Sequence, residues 1–186
     1  MIKIIGVCGK KFNGKDTIAD YLVNNFGFIK ISFGDSLKRA SKDIFGFSDE
    51  QLWGNKKEIV DDYWGITPRE ILQFIGTDCL RVLVKNKFPS IEDNIWIMSL
   101  EKQLQKIISD GITKIVIPDV RFPNEEQMIR KYNGEIIRVV RCIDNNSDLH
   151  ISENSLDLIK HDYVIYNQTL PQLYETVDHI MKLVKN

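Results

Sequence analysis

The stretch of residues Gly9–Thr17 reads G-K-K-F-N-G-K-D-T. Before it, residues 2–8 form a short apolar run rich in branched side chains, the pattern of a buried β-strand. After it, apolar residues recur at helical spacing between positions 18 and 23. The order of strand, glycine-rich turn and helix is the context that a phosphate-binding loop of the form G-x-x-x-x-G-K requires.

Each residue type in this loop has a physical role in holding phosphate. Gly9 and Gly14 can adopt backbone angles that point successive amide N–H groups into a concavity at a helix N-terminus. Lys15 adds a mobile cation that can follow a phosphate through transfer. The alternative is a surface glycine turn, which the flanking strand and helix disfavour. We assign nucleotide binding to Gly9, Asn13, Gly14, Lys15, Asp16 and Thr17.

One letter of the loop departs from the usual pattern. Asp16 stands where Ser or Thr normally binds magnesium, and Thr17 supplies a hydroxyl one position later. A carboxylate is also a hard oxygen ligand, so a magnesium site is retained in principle. Whether Asp16 or Thr17 contacts the metal stays open at this point.

Length and composition limit the function classes. The chain has 186 residues, 43% hydrophobic and 27% charged, with a formal net charge of −1. We therefore expect a single domain over residues 1–186 and neither nucleic acid nor a membrane as partner. Cys8, Cys79 and Cys142 are too few and scattered for a disulfide framework or zinc site, which favours a cytoplasmic protein. A homodimer stays open.

Apolar runs and amphipathic stretches alternate along the chain. After the first strand we expect strands over residues 28–32, 114–118, 135–141 and 162–166, separated by helices. Such alternation predicts an α/β fold with a parallel sheet between helical layers. Residues 34–98 are rich in predicted helix, with Asp35 as an N-cap and residues 46–65 irregular or in short helices. We interpret this region as a substrate-binding insertion.

A helix start in this insertion is marked by Thr67-Pro68-Arg69-Glu70, a capping box with proline at the first helical position. From there Arg69, Gln73, Thr77 and Arg81 fall four residues apart and form a polar stripe. The stripe is either a solvated helix face or, beside a nucleotide site, a base-binding amide with phosphate-binding arginines. Three aromatic residues are candidates for stacking on a base, with core packing as the alternative: Phe33, Trp64 and Trp96.

Two polar residues follow the predicted strand 114–118. Asp119 lies at its carboxyl end, where open α/β sheets bind ligands, and could hold magnesium or cap the next helix. Arg121 could neutralise charge on a transferring phosphate or pair with Glu125 or Glu126 at the surface.

Several segments occur together and in order. They are G-K-D-T at the loop, S-F-G-D-S-L-K-R (Ser32–Arg39), T-P-R-E-I-L-Q-F-I-G-T-D (Thr67–Asp78), D-V-R-F-P-N-E (Asp119–Glu125) and H-I-S-E (His150–Glu153). With them the chain resembles the phage and large-virus type of deoxynucleoside monophosphate kinase, in which Asp after the loop lysine is normal. The resemblance covers residues 2 to about 167.

The resemblance implies a phosphate-loop kinase fold, a three-layer α/β sandwich with a five-stranded parallel sheet. It also implies Mg²⁺-dependent transfer of the ATP γ-phosphate to a deoxynucleoside monophosphate, for DNA precursor synthesis, in the host cytoplasm if the protein is viral. Catalytic roles would fall on Lys15, Asp119 and Arg121, and metal binding on Asp16 and Asp119. The monophosphate would be bound by Phe33, Asp35, Arg39, Arg69, Gln73, Arg81 and Trp96. A lid-like loop would occupy residues 142–153.

Two alternatives remain. Another small-molecule kinase with this fold, of the dephospho-coenzyme A or phosphomevalonate type, would share the loop but take an acceptor of different shape. A non-catalytic nucleotide switch would be expected to carry a guanine-reading N-K-x-D motif, which this chain lacks. The amide of Gln73 favours a base-bearing acceptor.

Overall fold

A computed structural model describes residues 2–141 and 155–184. Within them one sheet has five parallel strands: β1 (Lys3–Cys8), β2 (Ile29–Lys30), β3 (Lys114–Val120), β4 (Glu135–Val140) and β5 (Tyr163–Tyr166). The order across the sheet is β2-β3-β1-β4-β5. The chain runs from β1 to β2 and β3 on one side and then to β4 on the other. Connections therefore diverge at the carboxyl ends of β1 and β3, the kind of edge at which open α/β sheets bind ligands.

Eight α-helices lie in the described residues: α1 (Lys15–Phe26), α2 (Asp35–Phe45), α3 (Asp49–Leu52), α4 (Pro68–Gln73), α5 (Val84–Lys87), α6 (Ile95–Ser109), α7 (Pro123–Lys131) and α8 (Leu170–Leu183). A π-helix over Phe74–Leu83 joins α4 to α5. Short 3₁₀ turns occur at Lys56–Glu58, Pro89–Ile91 and Ser155–Leu158. None of the described helices has the length and apolar character needed to cross a bilayer.

The chain divides into two compact units. The first unit comprises residues 1–32 and 104–186, and the second comprises residues 33–103. The first contains the whole sheet with α1, α7 and α8. The second contains α2 to α5, the π-helix and most of α6.

The first unit is built in three layers. On one face of the sheet Ile5 and Val7 of β1 pack in a buried cluster with side chains of α1 and α8, including Ile18, Leu22, Leu173 and Val177. On the other face Gly6 lies so close to α7 that an added Cβ would meet Ile129 Cδ1 at 2.7 Å. Burying each such aliphatic side chain contributes roughly 1.5–3 kcal/mol, so both helical layers stabilise the sheet. The predicted α/β fold with a five-stranded parallel sheet is confirmed.

The second unit has its own small core of Phe47, Leu52 and Ile71. Its helix α4 starts as the sequence predicts. Thr67 Oγ1 accepts the Glu70 N–H, and the Glu70 carboxylate accepts the Thr67 N–H at 2.8 Å and its hydroxyl at 2.7 Å. These hydrogen bonds, the main-chain one first, hold the pKa of Glu70 below its usual value.

Three predicted boundaries differ from the structure. Strand β2 has only two residues instead of the five predicted over residues 28–32. Gly34, rather than Asp35, is the N-cap of α2, so Asp35 is the first helical residue, where its charge still favours the positive helix end. Strand β3 continues two residues beyond Pro118, so Asp119 lies within it. The cause is pairing with β1, which reaches Val120.

Candidate functional site

The loop after β1 has the backbone that the glycine pattern predicts. Gly9 and Gly14 have φ angles of 147° and 102°, in the region that favours glycine, and Phe12 has φ 65°. Gly14 is the N-cap of α1, and no side-chain hydrogen bond caps this helix end in the part of the chain that the structure describes. The first turn of α1 therefore directs its N–H groups and its positive dipole end at the loop, an arrangement suited to anions.

Asparagine side chains fasten the loop to the sheet. Asn13, which is buried, donates its Nδ2 to Val139 O of β4 at 3.3 Å. Asn167, directly after β5, donates its Nδ2 to Asn13 O at 2.9 Å. A Cβ on Gly9 would lie 2.4 Å from Val139 O, so the loop presses directly on β4. Asn167 was not among the predicted residues, although a polar residue at the carboxyl end of a strand was an available signal.

Lys15 folds back over the loop that precedes it. Its Nζ donates to Gly9 O and to Lys10 O, each at 2.7 Å. The ammonium group is thus held by main-chain carbonyls at the mouth of the loop. A phosphate that enters would find this cation already positioned.

Asp16 and Thr17 occupy the first turn of α1. The Asp16 side chain is 81% exposed, and its nearest cation is Lys30, with Nζ to Oδ1 at 3.9 Å. Lys30 makes a shorter contact, 2.5 Å, with Asp20. Asp16 therefore presents an accessible carboxylate, whereas Thr17 is half-buried.

A bulge lies at Asp119, near the carboxyl end of β3 and beside the end of β1 that leads into the loop. In the β1–β3 register Gly6 pairs with Ile117, but Cys8 pairs with Val120. Strand β3 therefore carries one extra residue at positions 118–119, which bends the strand and turns its side chains. Asp119 is half-buried next to the residue that precedes the phosphate loop.

The turn that carries Arg121 is fixed by a buried carboxylate. Glu125, only 2% exposed, accepts the main-chain N–H groups of Arg121 at 2.7 Å and Phe122 at 3.1 Å. This contact is made by the main chain of Arg121, and the pairing of its side chain with Glu125 or Glu126 stays a prediction. The main-chain contact holds the start of α7 and leaves Arg121 at the carboxyl edge of β3.

A magnesium ion fits these residues if the two carboxylates Asp16 and Asp119 bind it together with substrate phosphates. Within residues 2–141 and 155–184, no three His, Cys, Asp or Glu side chains group closely enough to enclose a metal ion. Magnesium in phosphate-transfer sites is commonly held by one or two carboxylates together with substrate phosphates. An exposed Asp16 and the edge carboxylate Asp119 match that donor set.

In the second unit, the predicted acceptor residues of α2 have protein partners. Asp35 accepts the indole N–H of Trp53 at 3.2 Å and lies 3.7 Å from Lys38 Nζ. Arg39 donates to Ser36 Oγ and to Gln103 Oε1, both at 3.1 Å. Phe33, which precedes this helix, is buried.

The polar stripe of α4 and the π-helix is partly buried. Arg69 pairs with Glu58, Gln73 and Thr77 are half-buried, and Arg81 has a side chain 7% exposed that lies 3.3 Å from Asp93. The residues one position further along each turn are exposed: Glu70, Phe74, Asp78 and Val82. The stripe is therefore partly shielded from solvent, most strongly at Arg81, and its role in acceptor binding stays a prediction.

The π-helix keeps this stripe aligned. In an α-helix of 3.6 residues per turn, Arg81 would be rotated about 120° from Arg69 after twelve residues. In the π-helix hydrogen bonds span five residues, as from Val84 N–H to Cys79 O, so a turn holds more residues and the drift reverses. Trp96 supports this geometry by donating its Nε1 to Gly76 O at 2.9 Å. Trp96 thus contacts the π-helix; its stacking on a base stays a prediction.

Residues 142–154 lie outside the described part of the chain. They include the predicted lid-like loop at 142–153 and the cluster of His150, Ser152 and Glu153. Cys142 also falls in this range.

The sequence profile of the family described as deoxynucleotide monophosphate kinase matches residues 36–177. A protein of Acanthamoeba polyphaga mimivirus, named for deoxynucleotide monophosphate kinase, is 39% identical over 94% of this chain and 93% of its own length. The deoxynucleotide monophosphate kinase of Enterobacteria phage T4 is 21% identical over 98% of this chain and 100% of its own. A sugar kinase structure from Janibacter sp. HTCC2649 aligns with a TM-score of 0.52 at 14% identity, covering 100% and 99% of the two chains, a likeness of fold.

Proposed function

Because this chain belongs to the deoxynucleotide monophosphate kinase family, we propose that it transfers the γ-phosphate of ATP to a deoxynucleoside 5′-monophosphate, with Mg²⁺ as cofactor. The observation that carries the proposal is the phosphate loop Gly9–Thr17. Its glycine backbone, uncapped helix end and positioned Lys15 suit a polyphosphate. The product would be a deoxynucleoside diphosphate, a precursor for DNA synthesis.

On the donor side, positioning and electrostatics account for the chemistry. Phosphoryl transfer needs little covalent help from a protein, because charge spreads over the equatorial oxygens of the transferring group. The loop amides and Lys15 bind the phosphates of ATP. Arg121 offers a planar guanidinium, held at the edge of β3 by the turn that Glu125 fixes, to neutralise the developing charge.

Magnesium binding is assigned to Asp16 and Asp119. When bound, the ion would neutralise phosphate charge and orient the γ-phosphate. Asp16 supplies an accessible carboxylate on α1. Lys30 lies closer to Asp20 than to Asp16, so it neutralises the charge of Asp16 only in part. Asp119 is turned at the bulge of β3.

On the acceptor side, the candidates belong to the second unit. The partly buried stripe offers an amide at Gln73 and guanidinium groups at Arg69 and Arg81. Burying an arginine beside a carboxylate costs desolvation energy that the pair does not always recover, and a ligand-binding role for Arg81 would account for its burial. We assign base contact to Gln73 and phosphate contact to the two arginines, with the residues of α2 completing the acceptor site.

A different acceptor on the same fold is the second candidate. Kinases of the dephospho-coenzyme A or phosphomevalonate type would use the same loop, so the loop does not discriminate among them. Family membership and the half-buried Gln73 amide favour a nucleobase. A non-catalytic nucleotide switch is less favoured, since the chain has no N-K-x-D motif.

The test is a coupled assay of ADP release with ATP and Mg²⁺ across a panel of deoxy- and ribonucleoside monophosphates. We expect release only with certain deoxynucleoside monophosphates. A Gln73→Ala variant should raise the acceptor KM and leave that of ATP unchanged. ATP binding without turnover on any monophosphate would reject the proposal and direct the search to other acceptors. Cytoplasmic location, a homodimer and the absence of nucleic acid partners stay predictions.

A further inference from the structure

Arg138 is a charged residue of the sheet that the proposed function leaves without a role. It lies in β4, and its register partner in β1 is Cys8, the residue immediately before the phosphate loop. The residue after it, Val139, accepts the hydrogen bond from Asn13 and contacts Gly9. Arg138 therefore lies in the part of β4 that contacts the loop and the end of β1.

The side chain of Arg138 projects to the same face of the sheet as Cys8. Val139 belongs to the cluster on the opposite face, and side chains alternate along a strand. The charge on Arg138 is felt at Cys8: burial raises the pKa of that thiol to about 11, while Arg138 first and then Lys15 act to lower it. Arg138 and the loop lysine thus act on the same spot at the base of the loop.

The guanidinium group of Arg138 is bound by a 3₁₀ turn. Its Nη2 donates to Asp157 Oδ1 at 2.6 Å and its Nη1 to Leu156 O at 3.5 Å. The Asp157 side chain is 84% exposed, and Lys10 of the phosphate loop also acts on its carboxyl, whose pKa is lowered mainly by the hydrogen bond from Arg138. A carboxylate therefore lies within the influence of two cations, one from β4 and one from the loop.

The Arg138 side chain is 25% exposed and that of Asp157 is 84% exposed, so water reaches the pair from the Asp157 side. An ion pair that is open to water contributes little to stability, about 1 kcal/mol or less. It can therefore be exchanged for another anion at small cost. A phosphate oxygen is the anion for which a guanidinium fork is best suited. The carboxylate of Asp157 thus accepts a hydrogen bond from the Arg138 guanidinium that a nucleotide phosphate could accept in its place.

We propose that Arg138 binds a phosphate oxygen of the nucleotide held by the loop, and that Asp157 is the anion it must release to do so. The inference rests on the proposed function in that ATP is the ligand of the loop. It adds an arginine to the donor site and makes Asp157 an internal competitor of the nucleotide.

The test is a double-mutant cycle on ATP affinity, measured by calorimetry without acceptor. Arg138→Gln should raise the Kd for ATP about tenfold or more, the loss expected for a charged hydrogen bond. Asp157→Asn should lower the Kd several-fold, because the competitor is removed. In the double variant the benefit of Asp157→Asn should vanish.

Two controls keep the result specific. Asp110→Asn removes an exposed carboxylate that precedes the amino end of β3, whereas the loop follows the carboxyl end of β1. This variant should leave the Kd for ATP unchanged. Arg138→Lys keeps the charge if Arg138→Gln folds poorly, and should bind ATP more weakly than the wild type. Inorganic tripolyphosphate should reproduce the pattern seen with ATP, because the contact is to phosphate.

The outcomes separate the two proposals. Unchanged ATP affinity in Arg138→Gln and Asp157→Asn would overturn the inference alone. An equal gain from Asp157→Asn with and without Arg138 would also overturn it, since that result reflects only removal of negative charge. Absence of ATP binding by the wild type would contradict the proposed function and the inference together.

Discussion

The phosphate loop and the polar stripe are both candidate binding stretches, but they are specified in different ways. The conformation of the loop is specified by its own residues, because Gly9 and Gly14 take φ angles that other residues adopt only at an energetic cost. The stripe from Arg69 to Arg81 depends on a π-helix that is contacted at Gly76 by two residues from outside it. Trp96 donates a hydrogen bond to Gly76 O, and Leu37 lies where a Cβ on Gly76 would be. A local motif can thus be recognised alone, whereas a long polar stripe needs its neighbours.

The largest effect should follow from removing the loop cation. Lys15→Ala should lower kcat/KM by at least about 10³-fold, because a positioned charge in the donor site is lost. The coupled ADP-release assay measures it. Lys106→Ala, an exposed lysine of α6, should change activity by less than about threefold. Near-normal activity of Lys15→Ala would contradict the phosphate-loop interpretation.

A series of three Gly→Ala variants compares the two regions directly. Gly9→Ala should cost about 3 kcal/mol or more of unfolding free energy, since it combines a positive φ with a Cβ 2.4 Å from Val139 O. Gly27→Ala, at positive φ in open space, should cost about 1 kcal/mol. Gly76→Ala should stay within about 1 kcal/mol of wild type, because helix propensity offsets displacement of the Leu37 side chain.

Denaturant titration of the series provides the free energies. The order Gly9, Gly27, Gly76 is the expected result. If Gly76→Ala were as damaging as Gly9→Ala, the contact with Leu37 would restrict the π-helix as strictly as the φ angle and close contact of Gly9 restrict the loop.

A smaller effect tests the tertiary support of the stripe. Trp96→Phe removes the donor to Gly76 O and should raise the acceptor KM about three- to tenfold, the equivalent of one hydrogen bond, as Arg81 rotates away. Trp64→Phe is a matched control, because Trp64 donates its indole N–H to Phe45 O at the same 2.9 Å. It should lose similar stability with no change in acceptor KM. Equal KM values in both variants would remove the link between the π-helix and acceptor binding.

The smallest effect concerns the start of α4 and its pH dependence. The pKa of Glu70 is lowered in the folded chain, so its contribution to stability is present above about pH 4.3, the unfolded value, and is lost as pH falls below it. The Tm difference between wild type and Glu70→Gln should therefore shrink between about pH 6 and about pH 3.5. Glu175→Gln on α8 controls for the loss of one charge. A difference that does not change with pH would exclude a charged capping box.

Sequence reasoning predicted much of the fold from short-range patterns. The apolar runs located all five strands, and the capping box located the start of α4, because each signal lies within a few adjacent residues. The polar period of four between Arg69 and Arg81 also carried a signal, since it is longer than the period of an α-helix. Because a π-helix of ten residues is rare, this period alone does not predict one.

The sequence is sufficient to specify the phosphate loop, the alternation of strands and helices, and the start of α4. In each case the physical cause, a glycine φ, a hydrophobic period or a cap, acts within one segment. The bulge that turns Asp119, the fastening of Asn13 by Asn167 and the pairing of Arg138 with Asp157 emerge only in the folded chain. They depend on contacts between residues far apart in sequence, up to 154 positions for Asn13 and Asn167, and no local preference encodes such a meeting.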